Sequence, residues 1–217
     1  MKLLQHRLFQ RLTSNKGYTI DQTILIVAII AILITLVIIT VGWQLINRTG
    51  GTKTAAQLKQ VEDANGQFFA QHRVWPHQAY TAPGVSAPNN VLALANSTTI
   101  TTWVAGATTN RKNHLSGFTV TSGNVQHKIG SGGNITMQNS ATPTAAGIGT
   151  DTRLIIQFAG VPLAEAKEAD LNIDGAESAT QGRVFYRATG TDCYGGGATV
   201  AATVSIVNLC YAANTTQ

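Results

Sequence analysis

Few side chains in this sequence are of the types that carry catalysis or hold metals, and they are spread along the chain. Of the five histidines (His6, His72, His77, His114 and His127), only His72 and His77 are close together, and no carboxylate completes a metal-binding set with them. The glycine-rich stretches lack the lysine of a phosphate-binding loop. A Ser-His-Asp arrangement is defined in space, so the sequence order leaves it open, but no nucleophile motif supports one. We therefore predict no enzymatic activity, no metal site and no cofactor.

One short segment has a weak calcium-binding pattern. Asn172, Asp174 and Glu177 place oxygen ligands around the turn-forming Gly175, as in a fragment of a calcium loop. These ligands are too few alone, although Asp192 would add a carboxylate if the fold brought it near. The pattern favours a plain turn after a short helix, with calcium binding as the weaker alternative.

The two cysteines, Cys193 and Cys210, both lie near the C-terminus. No cluster of histidines or cysteines surrounds them, which argues against a metal site. In an exported domain they would form a disulfide closing a loop of about 17 residues, which stabilises by roughly 3 kcal/mol in the chain-entropy model. Two buried free thiols in a cytosolic protein are the alternative.

Positive charge is concentrated at the N-terminus. The formal net charge is +5, and Lys2, Arg7, Arg11 and Lys16 all precede the first acidic residue. The rest of the chain is nearly neutral and has no basic stripe with interleaved aromatic residues, which argues against nucleic-acid binding. Charged residues make up only 12% of the chain, and its many Gly, Ser, Thr, Asn and Ala residues are typical of an exported β-rich domain.

A long apolar run begins soon after these basic residues. Residues 24–41 read ILIVAIIAILITLVIITV, and only Thr35 and Thr40 contribute polar side-chain atoms. A helix of about 18 residues is roughly 27 Å long, close to the thickness of a hydrocarbon core of about 30 Å. We predict a membrane-spanning helix, because the backbone must satisfy its own hydrogen bonds in lipid. The basic residues before it favour a cytoplasmic N-terminus.

An ordinary secretory signal peptide fits this segment poorly. The stretch before the apolar run is long, the run exceeds the usual signal-peptide core, and no small-x-small cleavage site follows it. A cut before the run, which leaves the hydrophobic helix on the mature protein, fits better.

The residues at that position carry a family resemblance. Lys16-Gly17-Tyr18-Thr19-Ile20 resembles a prepilin peptidase site, with a short basic leader, a glycine, an aromatic residue and a long apolar helix. The chain in this respect resembles type IV pilins and pseudopilins. The resemblance implies a leader of residues 1–17, a cut between Gly17 and Tyr18, and N-methylation of Tyr18. A glycine suits a membrane-embedded active site because it brings no side chain.

The segment departs from the family at its acidic residue. The family usually has Glu as the fifth mature residue, whereas this chain has Gln22 there and Asp21 one place earlier. In the family the carboxylate is thought to pair with the amino terminus of a neighbouring subunit, which offsets the cost of a charge at the membrane edge. Asp21 either has the same assembly role or complements the positive start of the helix. Members without the glutamate are often minor subunits at a filament tip.

An amphipathic helical pattern follows the apolar run and ends near His72, before Trp75-Pro76. One face of it consists of Leu58, Val61, Asn65 and Phe68. Gly42 and Gly50-Gly51 are weak points for a helix. We favour one long helix, divided into a membrane or filament-core half (residues 18–50) and an amphipathic half (residues 51–76), over a separate short helix.

Two later stretches add to the resemblance. Residues 54–79 contain the Val-Glu pair, asparagine, aromatic, basic and proline residues that many pilin-like prepilins have at this place. Residues 163–184 are similar to the C-terminal part of those proteins. The resemblance covers residues 16–76 and 160–211 and is absent from residues 77–159.

Residues 77–217 have the pattern of a globular β-rich head. Short strand-like runs occur at residues 98–104, 118–121, 153–158, 183–188 and 198–207. Ser131-Gly132-Gly133-Asn134 and Gly195-Gly196-Gly197 indicate turns, and residues 162–170 a short helix with Pro162 at its start. The predicted fold class is α+β, with a long N-terminal hydrophobic helix packed on a C-terminal antiparallel sheet domain.

The resemblance implies a structural function. The chain would be a membrane-anchored prepilin in the bacterial inner membrane, cleaved after Gly17 and polymerised through its hydrophobic helix into an extracellular pilus or a periplasmic pseudopilus. Its partners would be other pilin subunits, a prepilin peptidase, and an assembly platform with its ATPase. The alternatives are a pseudopilin of a secretion system and an uncleaved, single-pass, membrane-anchored extracytoplasmic binding domain.

Overall fold

A computed structural model describes residues 20–73, 75–76, 91–95, 114–122, 124–140, 153–195, 200 and 204–216. The helices are α1 (Ile20–His72), α2 (Leu92–Ala95) and α3 (Leu163–Asp174). The strands are β1 (Thr119–Thr121), β2 (Asn124–His127), β3 (Gly133–Ser140), β4 (Arg153–Pro162), β5 (Val184–Ala188) and β6 (Ile206–Thr216). The chain divides after Leu45 into two compact units, of which the second, residues 46–217, is called the C-terminal unit below.

The first unit contains the apolar span, Ile20–Gly42 of α1. This span is long and apolar enough to cross a membrane, with a mean hydropathy of 3.5, and none of it is buried. Two of its threonines satisfy their hydroxyls within the helix: Thr35 donates to the carbonyl of Ala31 (2.8 Å) and Thr40 to that of Leu36 (3.1 Å). From Ile24 onward the apolar span therefore presents almost only hydrocarbon to its surroundings.

The C-terminal unit is built on a six-stranded sheet with the order β1-β2-β3-β4-β6-β5. Every neighbouring pair is antiparallel. The broad α+β prediction, an N-terminal apolar helix and a C-terminal antiparallel sheet, is confirmed.

The second half of α1 contributes one face to the main core. Leu58, Val61, Ala64 and Phe68 are at most 1% exposed and cluster with sheet residues such as Phe158. Their spacing of three or four residues aligns them along one side of a helix. α1 ends at His72, as predicted, and runs without a break through its glycines.

The opposite face of the sheet carries a smaller core. Ile155, Phe185, Cys193, Cys210 and Ala212 form this cluster, whereas the neighbouring Leu154 and Ile156 belong to the main core. Successive residues of a strand point to opposite faces, so β4 is buried on both sides. The predicted disulfide is present, with Sγ of Cys193 and Cys210 bonded and the two residues 17 positions apart in sequence.

Several strand predictions match and others do not. The runs at 118–121, 153–158 and 183–188 correspond to β1, β4 and β5, although β4 continues to Pro162. The run at 198–207 coincides with β6 at Ile206 and Val207, whereas Val200, Val204 and Ser205 are not in a strand; residues 198–199 and 201–203, like the run at 98–104, lie outside the described residues. Strands β2 and β3 were not predicted, because β2 has one large apolar residue, Val125, and β3 has two, Ile135 and Met137, which are too few to establish an alternating pattern in a Thr- and Asn-rich region.

The short helix is longer than predicted. α3 begins at Leu163, with Pro162 as its N-cap residue, and extends to Asp174 instead of ending at residue 170. Gly175 ends it in the left-handed conformation (φ 76°), and its backbone N–H donates to the carbonyl of Leu171.

Candidate functional site

The predicted processing residues, Gly17 and Tyr18, lie outside the described residues. Asp21 and Gln22 lie in the first turn of α1, and both are exposed. A carboxylate in the first turn of a helix is favoured by the partial positive charge there. This geometry tests neither the predicted assembly role of Asp21 nor that of Gln22.

The large apolar side chains of the apolar span are exposed along its whole length. Its large side chains remain 41–79% exposed from Ile20 to Val41. Thr23, Ile24, Val27, Ala28 and Ala31 line a shallow apolar groove along it. A contiguous apolar surface of this size is removed from water only by lipid or by other apolar helices.

Gly50 and Gly51 are packing positions in the C-terminal unit. A Cβ on Gly51 would overlap the Cβ of Glu168 in α3, and one on Gly50 would lie 2.9 Å from the Glu165 side chain. Thr54, one turn on, donates to the Gly50 carbonyl at 3.0 Å and contacts Glu165 at 3.4 Å. The two glycines therefore let α3 approach the backbone of α1, a role that the sequence pattern, which marked them only as weak points, did not indicate.

A polar clamp joins α1 to the sheet. Glu62 accepts one hydrogen bond from Arg183 Nη2 (3.0 Å) and one from the Tyr211 hydroxyl (2.6 Å). Arg183 also donates through Nε to the carbonyl of Ala212 (3.2 Å), and its guanidinium lies 4.9 Å from the centre of the Tyr211 ring. We call Glu62, Arg183 and Tyr211 the clamp; Lys59 adds an ion pair to Glu62 at 3.3 Å.

The electrostatics of the clamp are those of a structural contact. Burial, and then the hydrogen bond to Glu62, raise the pKa of Tyr211 well above its ordinary value. Its hydroxyl thus stays protonated and donates to the carboxylate. The clamp connects Glu62, of the Val-Glu pair in α1, with Arg183, in the predicted strand run 183–188. The sequence does not indicate that these two residues meet.

The weak calcium candidates lie at the end of α3 and in the following loop. Asp174 Oδ2 accepts from the backbone N–H of Val184 (2.8 Å), and Glu177 forms an ion pair with Lys167, while Asn172 is exposed. Among the described residues, no group of three or more His, Cys, Asp or Glu side chains is placed to hold a metal ion. The loop is instead tied to α3 and β5 by backbone N–H groups that donate to carboxylates.

Asp170, beside them, is buried. Its Oδ2 accepts from the backbone N–H of Ser178 at 2.6 Å, and no hydrogen-bond donor among the described residues reaches its Oδ1. Burial raises the pKa of Asp170 to about 7, and the carboxyls of Asp174 and Glu177 raise it further while the Ser178 N–H lowers it. This carboxyl therefore titrates near neutral pH.

His127 has a structural role. Its Nε2 lies 2.7 Å from the carbonyl of Ala159, and its Nδ1 accepts from the backbone N–H of Ile129 (3.2 Å). Its ring stacks on Phe158 with centroids 5.1 Å apart. Burial lowers the pKa of His127, with the bond to Ala159 opposing it, so the neutral form with its proton on Nε2 is favoured.

The comparisons with known proteins supply no relative. No family model, curated protein or solved structure matches this chain. Its function is therefore inferred from its own residues and their geometry.

Proposed function

We propose that this chain is a structural subunit of a type IV pilus or a related filament. It is made as a membrane-anchored prepilin, cleaved between Gly17 and Tyr18, and polymerised through its hydrophobic helix. The observation that carries the proposal is the apolar span, which is unburied throughout and begins three residues after Gly17.

The apolar span suits a helix that changes its surroundings without refolding. In the precursor it lies in lipid, and in a filament it packs against other apolar helices. Exchange of one apolar environment for another costs little, and the backbone of the span and the hydroxyls of Thr35 and Thr40 are already satisfied within the helix.

The C-terminal unit supports an extracytoplasmic location and an independent fold. The disulfide between Cys193 and Cys210 persists only in an oxidising compartment. The main core and the clamp hold the second half of α1 on the sheet without any contribution from the apolar span. Such a unit stays folded on the outside of a filament. The partners are then other pilin subunits, a prepilin peptidase, and an assembly platform with its ATPase.

The test is the intact mass of the protein extracted from the membranes of its own host. A mass equal to that of residues 18–217, with or without one methyl group, is expected. Gly17→Trp should block this processing and leave the full-length mass, because the bulky side chain obstructs the site. Gly66→Trp is the matched control, since Gly66 is exposed and an added Cβ there meets nothing within 4 Å; it should be processed normally.

The second candidate is an uncleaved, single-pass anchor that carries an extracytoplasmic binding domain. It is favoured by the same apolar span, since one such helix also suits a permanent membrane anchor. The full-length mass in the wild type, unchanged in Gly17→Trp, would select this candidate and reject the pilin proposal.

A further inference from the structure

The C-terminal unit carries opposite charges on two sides of α1 at the same level of the helix. Gly51 and Lys53 are two residues apart, and two helical steps turn through about 200°. Gly51 faces Glu168 of α3, whereas Lys53 faces the turn between β2 and β3. The two residues therefore mark opposite sides of the same helical turn.

The side near the β2–β3 turn is basic. Lys53 donates from Nζ to the backbone carbonyl of Lys128 at 3.0 Å, and Gln57 accepts from the backbone N–H of Lys128 at 3.2 Å. These contacts use only the backbone of Lys128, and the residue is exposed. We call Lys53 and Lys128 the basic flank.

The side near α3 is acidic. Glu165 and Glu168 lie one turn apart on α3 and pack against Gly50 and Gly51. We call these two glutamates the acidic flank. In the described part of the chain, the ion pairs join Lys59 and Arg183 to Glu62 and Lys167 to Glu177, and none involves either flank. Arg48, one turn before Gly51 on α1, is exposed.

Two complementary surfaces on one chain define a heterologous contact. When the basic flank of one copy meets the acidic flank of the next, the second copy still presents its own basic flank. Such a contact repeats without limit, and it produces an open helical filament when the rotation does not close a ring. Opposite charges on the two surfaces also select the correct relative orientation.

We infer that a second copy of this chain docks laterally, with Lys53 and Lys128 of one copy against Glu165 and Glu168 of the next. This inference rests on the proposed filament function and deepens it, because it assigns a contact between C-terminal units in addition to the packing of apolar helices. The contact is electrostatic, with exposed lysines on one side and half-buried glutamates on the other, so it weakens as salt concentration rises.

The first test is charge reversal in the host, with sheared filaments quantified and the intact mass of the membrane form measured in parallel. Lys128→Glu and Glu168→Lys should each reduce filament yield by at least about threefold, because a pair worth up to several-fold in affinity becomes a repulsive one. The double variant should recover most of the yield. Asp63→Lys, at an exposed position of α1 away from both flanks, is the control for Glu168→Lys and should leave the yield unchanged.

The second test is a crosslink. A chain with both Lys128→Cys and Glu168→Cys should give a ladder of disulfide-linked multimers on a non-reducing gel, whereas each single variant should not. The native cysteines are buried in their own disulfide and do not contribute. A crosslink within one chain, or no ladder while filaments form, would overturn the lateral contact.

The outcomes separate the two proposals. Normal cleavage and normal filaments in both single charge variants would reject this contact and leave the pilin function standing. A wild type that stays uncleaved and forms no filaments would reject both. Rescue by the double variant, together with the ladder, supports both.

Discussion

The apolar span and the C-terminal unit use the same helix in opposite ways. In the apolar span every large side chain points outward and none is buried, whereas in the second half of α1 Leu58, Val61 and Phe68 are at most 1% exposed. The apolar side chains of the span are thus left for lipid or other chains to cover, whereas those of the C-terminal unit are covered by its own sheet. The first part of α1 is therefore stabilised by lipid or neighbouring chains, and its second part by packing within the molecule.

Their polar groups differ in the same way. In the apolar span, Thr35 and Thr40 donate to carbonyls three or four residues away. In the C-terminal unit, Glu62 reaches Arg183 and Tyr211, which are 121 and 149 residues away. Local bonds keep a helix intact in any apolar environment, whereas distant ones define one tertiary arrangement.

The largest expected difference between the regions follows from large-to-small substitution. Phe68→Ala should lower the free energy of unfolding of the C-terminal unit by about 3–5 kcal/mol, because it leaves a cavity in the main core. Ile30→Ala, in the apolar span, should leave it unchanged. Denaturant titrations of the full chain in detergent, followed by near-ultraviolet circular dichroism, measure both. Equal losses from the two variants would contradict the separation of the regions.

Removal of the disulfide should act on the C-terminal unit alone. The double variant Cys193→Ala/Cys210→Ala should lower its free energy of unfolding by about 2–4 kcal/mol, since the unfolded chain gains freedom. The helical signal of the apolar span in detergent should persist after the sheet unfolds. Loss of both signals in one transition would show that the two regions unfold together.

Glycine substitutions along α1 should differ in sign. Gly51→Ala should destabilise the C-terminal unit by about 1–3 kcal/mol, because the added methyl group overlaps Glu168. Gly66→Ala, which meets nothing within 4 Å, should stabilise it by about 0.5–1 kcal/mol through helix propensity. Gly42→Ala, in the apolar span, should not move the transition. A stabilising Gly51→Ala would mean that α3 does not pack against this glycine.

A pH dependence confined to the C-terminal unit is also expected. The pKa of Asp170 is raised from 3.8 to about 7, so its contribution to stability is complete below pH 4 and is lost as the pH rises through 7. Asp170→Asn should therefore remove the decline in the free energy of unfolding between pH 4 and 7, because the amide does not titrate. The amide oxygen still accepts the hydrogen bond from the Ser178 N–H, so the fold is retained. A decline of the same size in the variant would exclude Asp170 as its cause.

His127 provides the opposite sign as an internal control. Its pKa is lowered from 6.5, so the unfolded chain binds a proton more readily than the folded one. Stability from this group is complete above pH 6.5 and falls as the pH drops below it. The loss of stability below pH 6.5 should remain in the Asp170→Asn variant. If it disappeared in that variant, His127 and Asp170 would titrate together.

The sequence was most informative where a pattern is local. The helical face of Leu58, Val61 and Phe68, the end of α1 at His72 and the pairing of Cys193 with Cys210 were all predicted and are present. Strands β2 and β3 were missed because β-structure in a Thr- and Asn-rich region has a weak periodic signal. The assembly and processing predictions at Gly17, Tyr18, Asp21 and Gln22 stay predictions.

The sequence by itself determined that this chain has one long apolar helix, since hydrophobicity over some 20 residues is a local property that needs no partner. The tertiary structure alone decided that Gly51 lies against Glu168, that Glu62 meets Arg183 and Tyr211, and that acidic and basic flanks lie on opposite sides of α1. The physical reason is sequence separation. A pair more than 100 residues apart is brought together by the whole core, so no stretch of chain carries the signal for it.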